Sequence, residues 1–167
     1  MLKKVLPLTA LSLVLATSAN ATNVDITGTV DSKCVVTTDT LGVFGNPTPS
    51  TLSTDAVDGG VEPIVRYDVI QADYYKATIT TPDQFVESPA LDDVVTWSGT
   101  VSVSEVSDPA MAAYDTEKRL YNNVTEIDLT VAGSTWFKVS SEADYGFDKA
   151  LPAGIYRATV QAECIAI

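Results

Sequence analysis

Histidine is absent from the 167 residues. That removes a Ser-His-Asp or Cys-His nucleophile, an imidazole general base and any His-ligated zinc. Cysteine is nearly absent: Cys34 and Cys164 are the only two, too few for a four-cysteine zinc or iron–sulfur site. Cations are scarce, with 10 Lys and Arg against 22 Asp and Glu and a net charge of −12. A surface this acidic repels phosphate, so neither nucleic acid nor an anionic membrane is an expected partner. No internal repeat, low-complexity tract or linker breaks the chain. What remains is 46% hydrophobic, which suits a single domain with a real core.

Met1 to Ala21 reads as an export leader. Lys3 and Lys4 precede an apolar run from Val5 to Ala16, and Ala19-Asn20-Ala21 supplies small residues at a cleavage site. The run is too short to span a bilayer and the order of its parts is that of a secretory signal. Removing it takes away two lysines and no acid, so the acidic balance of residues 22–167 deepens. The expectation is a bacterial protein exported through an oxidising compartment.

Beyond the leader, period-two alternation recurs and no long helical period is present. Val24, Ile26, Gly28 and Val30 alternate with polar residues. Val65, Tyr67 and Val69 share one face within Ile64 to Ile70, and Tyr75, Ala77 and Ile79 follow. Val94 to Trp97 and Val101 to Val106 flank Ser98-Gly99 as a hairpin or one bent strand. Ile127, Leu129 and Val131 alternate before the turn Ala132-Gly133-Ser134, which leads into Trp136 to Val139. Ile155 to Ile167 is the cleanest strand, with Tyr156, Ala158, Val160, Ala162 and Cys164 on one face and Arg157, Thr159, Gln161 and Glu163 on the other. Breakers at Gly45 to Pro49, Asp58-Gly59-Gly60, Thr81-Pro82-Asp83, Ser88-Pro89, Asp108-Pro109 and Leu151 to Gly154 separate the runs. Ala110 to Tyr121 is the one stretch suited to a short helix. About seven short strands at this spacing predict an all-β, immunoglobulin-like sandwich.

Candidate chemistry is thin. Asp92-Asp93 and Glu142 with Asp144 are paired carboxylates expected on loops; without a calcium-loop pattern around them they read as solvated acids. Trp97 and Trp136 offer rings for sugar stacking, but in a sandwich the expected place for both is the core. Gly42, Gly45, Gly59 and Gly60 form no phosphate loop, and Asn123-Val124-Thr125 is a glycosylation sequon of little weight in a bacterium. No catalytic, cofactor-binding or metal residue is expected, and no enzyme activity.

The row Val24, Ile26, Gly28, Val30 follows the leader almost directly. Its plain reading is an ordinary first strand; its sharper reading is a strand that completes the sheet of another chain by β-strand addition. A small residue in an aliphatic row lets another backbone come close.

Three segments carry a resemblance. Asn23 to Asp31 is a short alternating segment ending in Asp, Val95-Thr96-Trp97-Ser98-Gly99 matches a Val-x-Trp-x-Gly stretch, and Ala153-Gly154-Ile155-Tyr156 opens a long alternating strand. In this order they resemble the major subunits of chaperone–usher fimbriae, of the colonisation-factor type. The resemblance implies a pilin-type sandwich over residues 33–167 that lacks its last strand, after a signal peptide at 1–21 and a donor strand at 22–32. Val24, Ile26, Gly28 and Val30 would be the donor residues. Tyr156, Ala158, Val160 and Ala162 would flank the acceptor groove. Implied partners are further copies of the chain in a fibre, a periplasmic chaperone, an outer-membrane usher and a tip adhesin; the implied place is the cell surface, and the implied role is attachment to surfaces or host cells. The competing reading is a self-contained secreted sandwich that binds glycans or a host surface.

The cysteines depart from the colonisation-factor pattern, whose major subunits typically lack them. Export favours a Cys34–Cys164 disulfide over two buried free thiols. Cys34 shares the parity of Val24 to Val30, and Cys164 that of Tyr156 to Ala162, so both side chains are expected inward. If their strands flank a groove, a bridge must close it at one end, because bridged Cα atoms lie about 4.4–6.8 Å apart. Thiol titration of the denatured, unreduced protein should find no reactive thiol; two per chain would contradict the bridge.

Overall fold

The computed structural model describes residues 26–29 and 33–167. The expected leader, and Val24 and Val30 of the expected donor strand, lie outside the described residues. The chain divides into two units between Val30 and Asp31.

Residues 33–167 form two antiparallel sheets. The strands, in chain order, are β1 (Cys34–Thr40), β2 (Gly45–Thr48), β3 (Thr51–Ser53), β4 (Ile64–Val69), β5 (Tyr75–Thr80), β6 (Val95–Val106), β7 (Arg119–Tyr121), β8 (Val124–Asp128), β9 (Gly133–Tyr145) and β10 (Gln161–Ala166). The larger sheet is ordered β1-β4-β9-β3-β2, with β6 along the other side of β9. β9 can hold three neighbours because it is long: Gly133 to Lys138 pairs with β4, Glu142 to Asp144 with β3, and nearly its whole length with β6. The smaller sheet is ordered β10-β5-β8-β7. The all-β expectation therefore holds as a two-sheet, all-antiparallel sandwich.

Alternation makes the core. Val65, Tyr67 and Val69 of β4, Phe137 and Val139 of β9 and Val101 of β6 are buried against Ala77 and Ile79 of β5 and Ile127 of β8. The rings of Tyr67 and Phe137 meet edge to face at 5.6 Å, a favoured aromatic geometry. One end is plugged by a 3-10 turn, Pro109–Ala113, and a single-turn helix α1, Tyr114–Glu117, which bury Met111 and Tyr114. Asp108 starts this plug by accepting the Ala110 N–H at 2.8 Å, with Pro109 at the first helical position, where its missing N–H costs nothing. Ala110 to Tyr121 is thus helical only to Glu117; Arg119–Tyr121 leaves it as β7.

Other expectations are corrected. The bent-or-hairpin alternative at Ser98-Gly99 resolves into one strand, β6. Gly99 has to be glycine: a Cβ there would lie 2.9 Å from the Ser140 carbonyl oxygen and 3.0 Å from Thr81. Gly45 to Pro49 is not only a breaker, since Gly45–Thr48 is β2. Pro47 is tolerated because β2 is an edge strand, and the Asn46 side chain donates to the carbonyls of Thr48 and Thr51. The last strand is shorter than expected. Among the described residues its only ladder partner, β5, stops at Thr80 opposite Gln161, and residues 155–160 pair there only through an isolated bridge between Arg157 and Glu87.

Tyr67 spans the sandwich. Its hydroxyl shares its single proton between the Thr78 carbonyl (3.2 Å) on β5 and the Glu163 carbonyl (3.1 Å) on β10. Burial pushes this phenol well above its ordinary value, so the folded chain holds the proton more tightly than the unfolded one. The stability from this raised value is whole below the unfolded titration near pH 10.0 and is lost progressively as pH rises from there through the raised folded value. Tyr67→Phe should cost about 1–2 kcal/mol at neutral pH, since the shared hydrogen bond goes and two buried carbonyls lose their side-chain donor. The variant should also lose stability less steeply than wild type above pH 10, as read by urea unfolding; parallel profiles would contradict the assignment.

Candidate functional site

The two sheets do not close on one side. β1 is the edge strand of the larger sheet and β10 of the smaller, and no described strand pairs with the outer edge of either. At one end they are joined by the Cys34–Cys164 disulfide, with a Cα–Cα distance of 6.3 Å. Cys34 is buried and Cys164 half-buried against the core, as their parity predicts. The same end is tied down by backbone bonds. The Lys33 N–H donates to the Tyr75 hydroxyl at 2.8 Å, and the Lys33 carbonyl accepts from Ile70 at 2.8 Å. The Ile167 N–H donates to the Tyr74 carbonyl at 3.1 Å.

Away from the bridge the seam widens. Residues 156–160 run opposite the end of β1 and the loop that follows it, leaving a cleft of about 270 Å³ between Thr38, Leu41, Phe44, Val65, Ala158 and Val160. A second cleft of about 400 Å³ continues past Val43 and Phe44 toward Tyr156 and Gly154. Buried Val65 forms the floor, while Leu41 at 77% and Val43 at 54% exposure leave the rim apolar and wet. The Ser141 hydroxyl, beside the first cleft, is buried without a hydrogen-bond partner among the described residues. The expected groove-flanking residues Tyr156, Ala158, Val160 and Ala162 are all half-buried and turned to the same side, with Arg157, Thr159, Gln161 and Glu163 exposed between them. Val160 and Ala162 pack against the core.

An aromatic cluster holds the wide end. Phe85 meets Trp97 at 4.8 Å, Tyr156 at 5.1 Å and Phe44 at 6.3 Å between ring centroids, all edge to face. The Tyr156 hydroxyl donates to the Pro152 carbonyl at 2.7 Å. Sequence reasoning passed over Phe44 and Phe85 because Phe44 lies beside Gly45 and Phe85 follows the breaker Thr81-Pro82-Asp83, both in stretches without alternation. Trp97 belongs to this half-buried cluster. Trp136 is not core: alternation sends Phe137 inward and Trp136 outward, where its indole N–H donates to Asp39 at 3.2 Å and the Arg66 guanidinium sits 5.1 Å over the ring.

Of the expected donor residues, Ile26 and Gly28 are described. Ile26 is 96% exposed, nothing lies within 4 Å of a Cβ placed on Gly28, and residues 26–29 have no regular secondary structure.

The paired carboxylates fall in two places. Asp92 and Asp93 lie in a loop, where Asp92 accepts a short hydrogen bond from the Tyr145 hydroxyl and one from Lys149 at 3.1 Å. The Tyr145 bond, then Lys149, hold this carboxyl below its ordinary value. Glu142 and Asp144 are not on a loop but in β9, paired across to β3 and β6. Among the described residues no group of His, Cys, Asp or Glu is placed to hold a metal ion, and no helix is long and apolar enough to cross a membrane.

Phe85→Ala should remove three ring contacts and destabilise by about 2 kcal/mol. Protease nicking within residues 152–158 should rise in parallel; an unchanged urea midpoint and cleavage pattern would show that the cluster does not hold this end. No protein-family model, curated protein or solved structure matches the chain.

Proposed function

We propose that this chain is a structural subunit of a bacterial surface fimbria, an immunoglobulin-like pilin domain that polymerises by donor-strand exchange and serves attachment to surfaces or host cells. The observation that carries the reading is the seam: β1 and β10 each keep one edge unpaired among the described residues, and where the end of β1 faces residues 158–160, just before β10, an apolar-floored cleft opens. Exposed edges are templates for pairing with another chain and are normally blunted by charge, proline or cover. Here Val160 lines the cleft, half-buried.

The segment 22–32 has the form of a filler. Val24, Ile26, Gly28 and Val30 recur with strand period, and Thr27 and Thr29 fall on the opposite face. Inserted in the seam of a second copy, each aliphatic side chain gains about 1.5–3 kcal/mol before ordering costs, and the backbone joins two ladders. Gly28 suits the point where the occupant passes closest to the floor. By its resemblance the chain would meet a periplasmic chaperone that fills the seam first, an outer-membrane usher where exchange occurs, and an adhesin at the fibre tip. The leader supplies the route through the periplasm to the surface.

A charge in the inward row should stop insertion, because an unpaired buried charge is heavily penalised. Ile26→Asp should abolish multimers in size-exclusion chromatography of the mature chain, with monomer melting unchanged because Ile26 is exposed. Thr27→Asp, on the outward face, should still assemble. Equal assembly by both variants would contradict the reading, and wild type that stays monomeric at every concentration would favour a self-contained secreted module.

A further inference from the structure

The closed end of the seam is also where the N-terminal segment joins the domain. Cys34 opens β1, and only Asp31, Ser32 and Lys33 separate it from Val30. Lys33 is itself fixed by hydrogen bonds from both its backbone groups. A strand lying between β1 and β10 needs about 4.7–4.9 Å on each side, so its neighbours must stand roughly 9.5 Å apart. At the bridge their Cα atoms are 6.3 Å apart. A hairpin turning at Asp31-Ser32 would have to run through that level, and the bridge leaves no room for it.

The other entrance is the wide end, at Leu41 to Phe44. Val43 lies nine residue steps beyond Cys34, about 30 Å of extended strand. The four steps from Val30 to Cys34 reach about 14 Å at most. The chain's own segment falls short of the open end by about 16 Å.

We propose that the Cys34–Cys164 bridge is a self-exclusion device: it bars the N-terminal segment from the seam of its own chain and so reserves that seam for the segment of a second copy. The inference rests on the strand-exchange reading. It goes beyond it by giving the disulfide a role in choosing intermolecular over intramolecular completion.

Two variants of the mature chain test it. In the first, a flexible 12-residue Gly-Ser linker is inserted between Asp31 and Ser32 with the bridge intact; its root-mean-square span of about 19 Å covers the shortfall. In the second, Cys34→Ser and Cys164→Ser remove the bridge. The readouts are multimer formation, protease protection of residues 22–30, and binding of a free peptide of residues 22–32. Wild type should form multimers, and dilute monomer should bind the peptide and leave its own segment exposed. The linker variant should be a monomer with a protected segment and at least tenfold weaker peptide binding, and the serine variant should move the same way. The linker variant keeps the disulfide, so the test survives if the serine variant does not fold. A linker variant that polymerises and binds peptide like wild type would overturn the proposal, as would wild-type monomer with its own segment protected. Wild-type monomer with an exposed segment and no peptide affinity would instead sink strand exchange itself, and this inference with it.

Discussion

The last strand is held to the sandwich from one edge only, and the arrangement around it depends on how the other edge is secured. β10 pairs with β5 along Gln161 to Ala166 and has no strand partner on its far side among the described residues. Two side chains compensate. Cys164 is bonded to Cys34 at the start of β1, and the Tyr67 hydroxyl reaches across the core to the backbone of Glu163. The bridge closes a loop of sequence separation 130, worth about 5 kcal/mol by the chain-entropy account. It does so at one end, so the strands are pinned there and free to stand apart elsewhere. An open seam can persist without the edge strand peeling away.

The chemistry along the seam changes with this geometry. Near the bridge, β1 and β10 cover the core directly through Val36, Ala162 and Cys164. At the wide end the cover is thinner: Val65 is a floor below Leu41 and Val43, which remain exposed. The four rings of Phe44, Phe85, Trp97 and Tyr156 brace this end, and Phe44 and Tyr156 line the clefts. A wall braced by such contacts lowers the ordering cost of taking up an extended occupant. The acidic surface disfavours casual association between copies, so pairing must come from ladder bonds and apolar fit.

How much of this was legible in the sequence depended on alternation. β4 reads cleanly because Val65, Tyr67 and Val69 alternate with Arg66 and Asp68, and both cysteines face inward as their parity requires. The second half of β9 does not, although its parity is intact: Ser141, Ala143 and Tyr145 are buried. Two of these are small, and the Ser141 backbone exchanges bonds with Thr54, so the hydrophobic signal is too weak to extend the strand. β1 was hidden because Val35-Val36-Thr37-Thr38 runs apolar, apolar, polar, polar. The end of β10 was over-read for the opposite reason. Residues 155–160 alternate well and do face inward by parity, but no partner strand reaches them, and alternation reports which face is covered rather than which edge is paired. The seam is a property of edges, so it appears only once the strand order is known.

The central claim is that the seam between β1 and β10 receives an extended strand from another copy. Hydrogen exchange on Ile26→Asp mature chain, with and without a peptide of residues 22–32, examines it directly, since this variant keeps its seam but carries a defective segment. The account predicts new protection in residues 37–43 and 156–161, on both sides of the open part of the seam at once. Unchanged exchange in those segments, or protection confined to the opposite sheet edge at Arg119–Tyr121, would contradict it.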